Sequence, residues 1–319
     1  MKAPGLIDVL AAKQRIAPYL PRTPLINYPA IDRMIGARVL VKHENTQPIG
    51  AFKVRGGINL ISQLTQQERA AGVIAASTGN HGQSVAYAAS LFGVRAMIVV
   101  PENANPLKVT SMRNLGSEVL LYGADFDEAR LRCEAIAREQ GMRYVHSGDE
   151  PLLIAGVGTI TLEILEDAPE VKTIIVPIGG GSGAAAACIV AKAVNPAIKV
   201  IGVGAELAPA AYKSWRAKQL VEDKMETAAE GLATRTAFAL PQSILWEHLD
   251  EFVQVSEEEI RAAVGLFIEK AHTLAEGAGA SPLAAALKIR DSLADEAVAL
   301  VLSGGNITLE QLRLALSPR

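Results

Sequence analysis

The 319-residue sequence has few of the residues that build metal centres, disulfide frameworks or membrane segments. It contains two cysteines, Cys133 and Cys188, five scattered histidines, and no CxxC, HExxH or P-loop GKS/GKT motif. Two unpaired cysteines are typical of a reducing compartment, so we expect a cytoplasmic protein without structural disulfides or a zinc site. No apolar run approaches the ~18 residues of a membrane span, and the N-terminus lacks the apolar core of a signal peptide.

Blocks of like charge are also missing. The chain has 31 Lys and Arg residues against 34 Asp and Glu residues, which gives a net charge of −3. Nucleic acids and anionic membrane surfaces are therefore not expected partners, and a small-molecule ligand is favoured. With 50% hydrophobic residues, the chain is long enough to bury a sizeable core, divided between two lobes.

The chain does have a clear alternation of short apolar strands and helices, which is typical of parallel sheets covered by helices on both faces. The first predicted set comprises strands at 73–76, 96–100, 118–122 and 143–146, with helices up to 89 and over 106–115 and 125–140. A second set begins near Ile154 and includes strands at 173–177, 199–203 and 297–302. We predict a small domain of residues 46–145 and a large domain of residues 1–45 and 146–319.

Open parallel sheets bind ligands beyond the carboxyl ends of their strands, and three predicted strands end in unusual segments. The first segment is Ser77-Thr78-Gly79-Asn80-His81, which offers hydroxyl, amide and imidazole groups together. It could bind a small polar ligand. The alternative is a simple strand-to-helix turn with a serine N-cap.

The second segment is glycine-rich, Gly179-Gly180-Gly181-Ser182-Gly183, and it precedes an alanine-rich helix. Backbone N–H groups at such a helix start favour a phosphate, although a loop kept slim for packing is the alternative. Gly179, Gly181 and Ala184 also match the loose G-x-G-x-x-G/A dinucleotide pattern, with Glu206 as a possible ribose ligand. An NAD-dependent dehydrogenase is therefore an alternative function.

The third segment presents Ser303 at the end of the 297–302 strand. Its hydroxyl suits the nitrogen of a heteroaromatic ring, and the alternative is a serine that caps the next turn.

One lysine stands out in the segment Gly50-Ala51-Phe52-Lys53-Val54-Arg55-Gly56. Lys53 falls near a predicted helix N-terminus, where the helix dipole disfavours a cation. Crowding and the neighbouring Arg55 are expected to lower the pKa of its amine, as a nucleophilic lysine requires. A surface lysine in a basic turn is the alternative.

Taken together, these segments resemble the fold-type II pyridoxal-phosphate enzymes, in particular the threonine dehydratase and serine racemase group. The resemblance implies an α/β fold of two parallel-sheet, three-layer lobes like that of the tryptophan synthase β subunit, with pyridoxal 5'-phosphate in the cleft between them. Lys53 would form the Schiff base. The other implied cofactor-binding residues are Phe52, Asn80, Gly179, Gly180, Gly181, Ser182, Gly183, Gly231, Glu276 and Ser303. The implied substrate-binding residues are Ser77, Thr78, Gly79, Asn80 and His81.

The implied reaction is β-elimination of a 3-hydroxy L-amino acid to a 2-oxo acid and ammonia. Because Ser303 cannot hold a pyridine nitrogen protonated as a carboxylate would, a short-lived carbanion and fast elimination are expected. Lys53 and Thr78 are the implied catalytic residues. Since Thr78 keeps a hydroxyl at the position where related racemases carry serine, a serine racemase-type activity is an alternative. We also expect a homo-oligomer, either a dimer or a tetramer.

Several positions depart from the family pattern. No second acid follows Glu206 within residues 207–212, so we expect no metal site and treat Glu206 as a doubtful ligand. Glu230 replaces an aspartate. His146-Ser147-Gly148-Asp149-Glu150 replaces His-Pro-Phe-Asp-Asp, and Val157 replaces a glutamine, which predicts a roomier pocket for substrates such as phenylserine beside threonine and serine. With 13 residues after Asn306, no C-terminal regulatory domain is expected.

Overall fold

A computed structural model describes residues 1–317, which form two β-sheets surrounded by helices. The strands are β1 (Leu25–Asn27), β2 (Arg38–His43), β3 (Val73–Ala76), β4 (Ala96–Val100), β5 (Glu118–Leu121), β6 (Arg143–Tyr144), β7 (Thr173–Pro177), β8 (Lys199–Ala205), β9 (Glu251–Val255) and β10 (Ala297–Leu302).

Fourteen helices occupy the same part of the chain. They are α1 (Leu6–Ile16), α2 (Pro29–Ile35), α3 (Lys53–Ile61), α4 (Gln66–Ala71), α5 (Asn80–Leu91), α6 (Pro106–Asn114), α7 (Phe126–Gln140), α8 (Pro151–Asp167), α9 (Ser182–Val194), α10 (Ala210–Ala217), α11 (Ala239–His248), α12 (Glu257–Ala271), α13 (Gly277–Lys288) and α14 (Leu309–Leu316), with short 3₁₀ turns at Glu44–Thr46, Glu230–Leu232 and Arg290–Ser292.

The larger sheet has six strands in the order β1-β2-β10-β7-β8-β9, and the smaller has four in the order β5-β4-β3-β6. All neighbouring strands pair in parallel except β1 and β2, which are antiparallel. This confirms the α/β class with two parallel sheets. β1, a three-residue edge strand, and β9 were not predicted. The four strands of the smaller sheet, β3 to β6, all come from residues 73–144, and the domain boundaries stay a prediction.

Each sheet is covered on both faces by apolar layers. Along β10, Ala299 and Val301 enter one core, whereas Val298, Leu300 and Leu302 enter another. The smaller sheet repeats this arrangement, because the residues of β3 alternate between two further cores. Strands buried on both faces carry continuous apolar runs, which explains why these strands were recognisable in the sequence.

Helix α3, which begins at Lys53, packs very closely on α8. A Cβ atom added at Gly156 would lie 2.7 Å from the Cα atom of Gly56 and 2.7 Å from the carbonyl oxygen of Arg55. Larger residues at these positions would push the helices apart. Gly56 and Gly156 therefore allow the short distance between α3 and α8.

Helices long and apolar enough to cross a membrane do not occur among residues 1–317.

Candidate active site

The start of α3 is held against the end of β10 by backbone contacts. The Phe52 amide donates a 2.9 Å hydrogen bond to the Ser303 carbonyl, and the Gly305 amide donates one of 2.9 Å to the carbonyl of Gly50. Gly50 adopts φ +67°, a left-handed conformation that favours glycine. The predicted lysine segment and the predicted Ser303 segment therefore meet, although they lie at opposite ends of the sequence.

The Lys53 amine lies between two oxygen acceptors. Its Nζ donates to Ser182 Oγ at 2.9 Å and to the carbonyl oxygen of Ser147 at 3.1 Å. Burial lowers the pKa of this amine from its ordinary value of 10.5 to about 8. A substantial fraction of Lys53 is thus neutral in mildly alkaline solution, as a nucleophile or base requires.

The expectation that Arg55 lowers the pKa of the Lys53 amine is wrong. Arg55 is 1% exposed, and its guanidinium donates to Glu44 at 2.7 Å and 2.8 Å and to Glu163 at 2.7 Å and 2.9 Å. Lys42 joins the same buried cluster through a 2.6 Å bond to Glu163. Two cations thus face two carboxylates, which leaves burial as the cause of the low pKa of Lys53.

The glycine-rich segment lies at the N-terminus of α9. Gly181 adopts φ +87°, and the first backbone hydrogen bond of the helix runs from the Ala185 amide to the Gly181 carbonyl at 2.9 Å. The amides that precede Ala185 have no acceptor within the helix and carry the positive end of its dipole. Side chains would not fit here, because a Cβ atom at Gly179 would overlap the carbonyl of Gly231. This is the geometry of a phosphate cradle.

Asn80 begins α5 and links the two sheets. Its side-chain amide donates to Glu276 Oε1 at 2.8 Å, and its Oδ1 accepts a 2.7 Å hydrogen bond from Asn306 Nδ2. Burial raises the pKa of Glu276 to about 7, although the hydrogen bond from Asn80 favours the ionised form. Asn80 is therefore held in one orientation.

The remaining residues of the first strand-end segment differ in their surroundings. Ser77 Oγ accepts from the amides of Gly79 at 3.2 Å and Gly82 at 2.9 Å, so this hydroxyl holds the turn before α5 together. His81 is buried beside the Val145 carbonyl, 3.0 Å from its Nε2, and burial lowers its pKa to about 3. His81 is therefore neutral at physiological pH. Thr78 is only half-buried.

The chain is similar in sequence and in fold to several known proteins. Residues 16–304 match the family of pyridoxal-phosphate dependent enzymes. An L-threonine ammonia-lyase of Thermotoga maritima is 41% identical over 309 residues, covering 96% of this chain and 77% of the relative. A catabolic L-threonine dehydratase of Staphylococcus aureus is 40% identical over 313 residues, covering 97% of this chain and 90% of the relative. The crystal structure of serine racemase from Dictyostelium discoideum superposes with a TM-score of 0.91 at 33% identity, covering 96% of this chain and 99% of that one.

This chain is a member of the pyridoxal-phosphate dependent enzyme family. The predicted resemblance and the predicted cofactor, pyridoxal 5'-phosphate, are both confirmed. The family match does not support the dehydrogenase alternative, and the role of the glycine-rich segment as the phosphate site stays a prediction.

The residues of this pyridoxal-phosphate enzyme fit the cofactor well. Phe52, Gly183 and Ser303 border one pocket, which brings an aromatic ring, the glycine cradle and a hydroxyl together. Lys53 directly follows Phe52, and its Nζ lies 5.3 Å from the centre of the Phe52 ring. The cradle, the amine and the hydroxyl are the groups predicted to bind the phosphate, the aldehyde carbon and the ring nitrogen of pyridoxal phosphate.

A larger pocket of about 620 Å³ lies beside Glu276 and Gly231. Lys108 of α6 forms an ion pair there with Glu230, the residue that replaces the family aspartate. The longer side chain of Glu230 thus reaches a helix that flanks the smaller sheet.

Glu206 is not part of an acidic cluster, since its carboxylate pairs with Lys288 Nζ at 3.3 Å. Within residues 1–317, no group of three or more His, Cys, Asp and Glu side chains is arranged to hold a metal ion.

The expectation of extra space around Gly148 and Val157 is wrong. Val157 is 2% exposed and packs in the core of the larger sheet. The space beside Gly148 contains the ring of Phe238, which would overlap a Cβ atom at position 148. The aromatic ring that is missing from residues 146–150 is thus supplied by another segment. Sequence analysis missed Phe238 because it stands alone in an irregular segment with no motif.

Proposed function

We propose that this enzyme catalyses the pyridoxal-phosphate-dependent β-elimination of a 3-hydroxy L-amino acid, such as serine or threonine, to a 2-oxo acid and ammonia. The observation that carries the proposal is the Lys53 amine, held 2.9 Å from Ser182 of the glycine cradle and depressed in pKa to about 8. The names of the relatives, an L-threonine ammonia-lyase and an L-threonine dehydratase, support the same reaction class.

When bound, pyridoxal phosphate stabilises the negative charge that develops at the α-carbon of an amino acid, and so permits loss of the β-substituent. The residues of the chain supply the rest. Lys53 would hold the cofactor through its amine, and the free amine would accept the α-proton of the substrate at Nζ, since its pKa is about 8. Gly179 to Gly183 would bind the phosphate through backbone amides.

We assign the other roles by position in the same site. Phe52 would pack against the cofactor ring, Ser303 would hydrogen-bond its nitrogen, and Asn80 would bind its 3-hydroxyl. Asn80 suits this role because Glu276 and Asn306 fix its amide. Segment 77–81, at the N-terminus of the 12-residue helix α5, would bind the substrate carboxylate through its backbone amides. The neutral His81 would contribute its amide rather than its ring.

Racemisation is a second activity for the same site, favoured by the half-buried hydroxyl of Thr78. A racemase needs an acid/base group on the face opposite the lysine. Thr78 has the required hydroxyl, but β-branching restricts its χ1 angle. We propose elimination as the main reaction, with at most weak racemisation.

The direct test is production of 2-oxo acid from L-serine and L-threonine by the purified, cofactor-loaded protein. We expect turnover of at least one of them, and loss of turnover in Lys53→Ala. Cofactor-loaded protein that converts neither amino acid would contradict the proposed reaction.

We also propose a homo-oligomer and a cytoplasmic location. Large apolar side chains are exposed on α1 and α14, with Ile7 76% and Leu309 71% exposed, and a second copy of the chain would cover such surfaces. Both cysteines are buried free thiols, in agreement with a reducing compartment. Light scattering of the purified protein tests the oligomer, since a monomer would contradict it.

A further inference from the structure

The ring of Phe238 lies where two segments of the active site approach each other. It occupies the space into which a Cβ atom at Gly148 would project, and also the space at Gly180. It stacks edge-to-face on His146, with centroids 4.9 Å apart and an interplanar angle of 75°. Phe238 therefore contacts both the 146–150 segment and the phosphate cradle.

The two glycines owe their identity to this ring and not to backbone strain. Neither Gly148 nor Gly180 has a positive φ, in contrast to Gly181 in the same cradle. Their φ angles therefore do not demand glycine, but a side chain at either position would collide with Phe238. The ring of Phe238 thus occupies the space that a side chain at position 148 would fill.

Both segments that Phe238 contacts also hold the reacting amine. Ser147, which precedes Gly148, accepts from Lys53 Nζ through its carbonyl at 3.1 Å. Ser182, two residues after Gly180, accepts from the same nitrogen at 2.9 Å. The half-buried ring of Phe238 thus packs against both of the segments whose serines hold the amine.

The ring is held in place from both sides. The Leu240 amide donates a 2.8 Å hydrogen bond to Asp149 Oδ1, which ties the Phe238 segment to residues 146–150. His146 Nδ1 accepts from the amide of Asp149 at 2.8 Å, and burial lowers the pKa of His146, so its imidazole is neutral and fixed. Phe238 is therefore a rigid wall and not a mobile side chain.

We propose that Phe238 is a specificity-determining residue that limits the size of the substrate side chain and favours serine and threonine over bulkier 3-hydroxy amino acids. This inference rests on the proposed function. A rigid ring excludes a large β-substituent by overlap, and differences of this kind in an apolar pocket change kcat/KM about 10- to 200-fold.

The first experiment compares wild type and Phe238→Ala in kcat/KM for L-serine, L-threonine and 3-phenylserine. We expect the ratio of phenylserine to serine to rise about 10-fold or more in the variant. Phe92→Ala is the matched control, because Phe92 also forms an edge-to-face pair, with Tyr19 at 5.0 Å and 74°, but in a different core. The control should keep the wild-type ratio. An unchanged ratio in Phe238→Ala, or an equal loss with all three substrates, would overturn the proposal.

A second experiment exchanges the ring between the two positions. Phe238→Gly should accept phenylserine, whereas the double variant Phe238→Gly/Gly148→Phe should recover the preference for small substrates, because the ring returns from the other segment. Gly148→Phe alone should lose cofactor or fold, since both rings compete for one space. A double variant that keeps the specificity of Phe238→Gly would contradict the proposal.

Binding separates this inference from the proposed function. The change in cofactor absorbance on adding each amino acid gives Kd values without turnover, and the ratio of Kd values should shift in Phe238→Ala as the kcat/KM ratio does. Absence of 2-oxo acid from wild type would reject the proposed reaction alone. An unchanged Kd ratio would reject the role of Phe238 alone.

Discussion

The side-chain amide of Asn80 donates a 2.8 Å hydrogen bond to Oε1 of Glu276. Asn80 begins α5 beside the smaller sheet, and Glu276 precedes α13, which packs on the larger sheet. This contact therefore joins the two halves of the molecule at the candidate cofactor site. Burial raises the pKa of this carboxyl to about 7, so its charge changes within the physiological range.

Glu276→Gln should remove a pH-dependent part of the stability. The pKa of Glu276 in the folded protein, about 7, exceeds its ordinary value of 4.5, so the folded state binds this proton more tightly than the unfolded state. The resulting stabilisation is complete below about pH 4.5 and is lost as the pH rises through about 7. Relative to the variant, wild type should lose up to about 3 kcal/mol across this window, as urea denaturation can measure. Parallel pH profiles would contradict the assignment.

Arg55 should be essential to stability. Arg55→Leu leaves Glu44 and Glu163 buried without their guanidinium, which should lower the free energy of unfolding by about 3 to 5 kcal/mol. Arg38→Leu is the control, because Arg38 pairs with Glu170 on the surface and its loss should lower the free energy by less than about 1 kcal/mol. If urea denaturation gave the same loss of unfolding free energy for Arg55→Leu and Arg38→Leu, the buried cluster would not contribute the expected stability.

Thr78→Ala should separate the two activities. Removing the hydroxyl should abolish any racemisation while much of the elimination persists, because Lys53 still accepts the α-proton. Chiral analysis of L-serine incubations, with 2-oxo acid measured in parallel, provides both rates. Racemisation that outruns elimination in wild type would reverse our choice of main reaction.

The rate of covalent cofactor capture should follow the ionisation of Lys53. The neutral amine is the nucleophile, so the rate at which apoenzyme gains the visible absorbance should rise with pH and level off above about 8, the pKa that burial imposes. Stopped-flow mixing across this pH range measures the midpoint. A midpoint near the ordinary lysine pKa of 10.5 would show that the amine is not desolvated.

The sequence predicted the parts of the site that are local. Glycines, serines and asparagines directly after apolar strands identified segments 77–81 and 179–183 and Ser303, because parallel strands end at one edge of a sheet. It could not predict contacts set by tertiary packing. Arg55 meets Glu163, 108 residues away, which no local pattern indicates. Gly148 suggested empty space, whereas Phe238 from a distant irregular segment fills it.

The account depends most directly on a covalent bond between pyridoxal phosphate and Lys53. Borohydride reduction of the loaded protein, followed by peptide mass spectrometry, should locate the reduced cofactor on Lys53. Lys42 is an internal control, because it is also buried but is committed to Glu163 at 2.6 Å, and it should remain unmodified. The cofactor on another lysine, or protein that carries none after incubation with pyridoxal phosphate, would contradict the account.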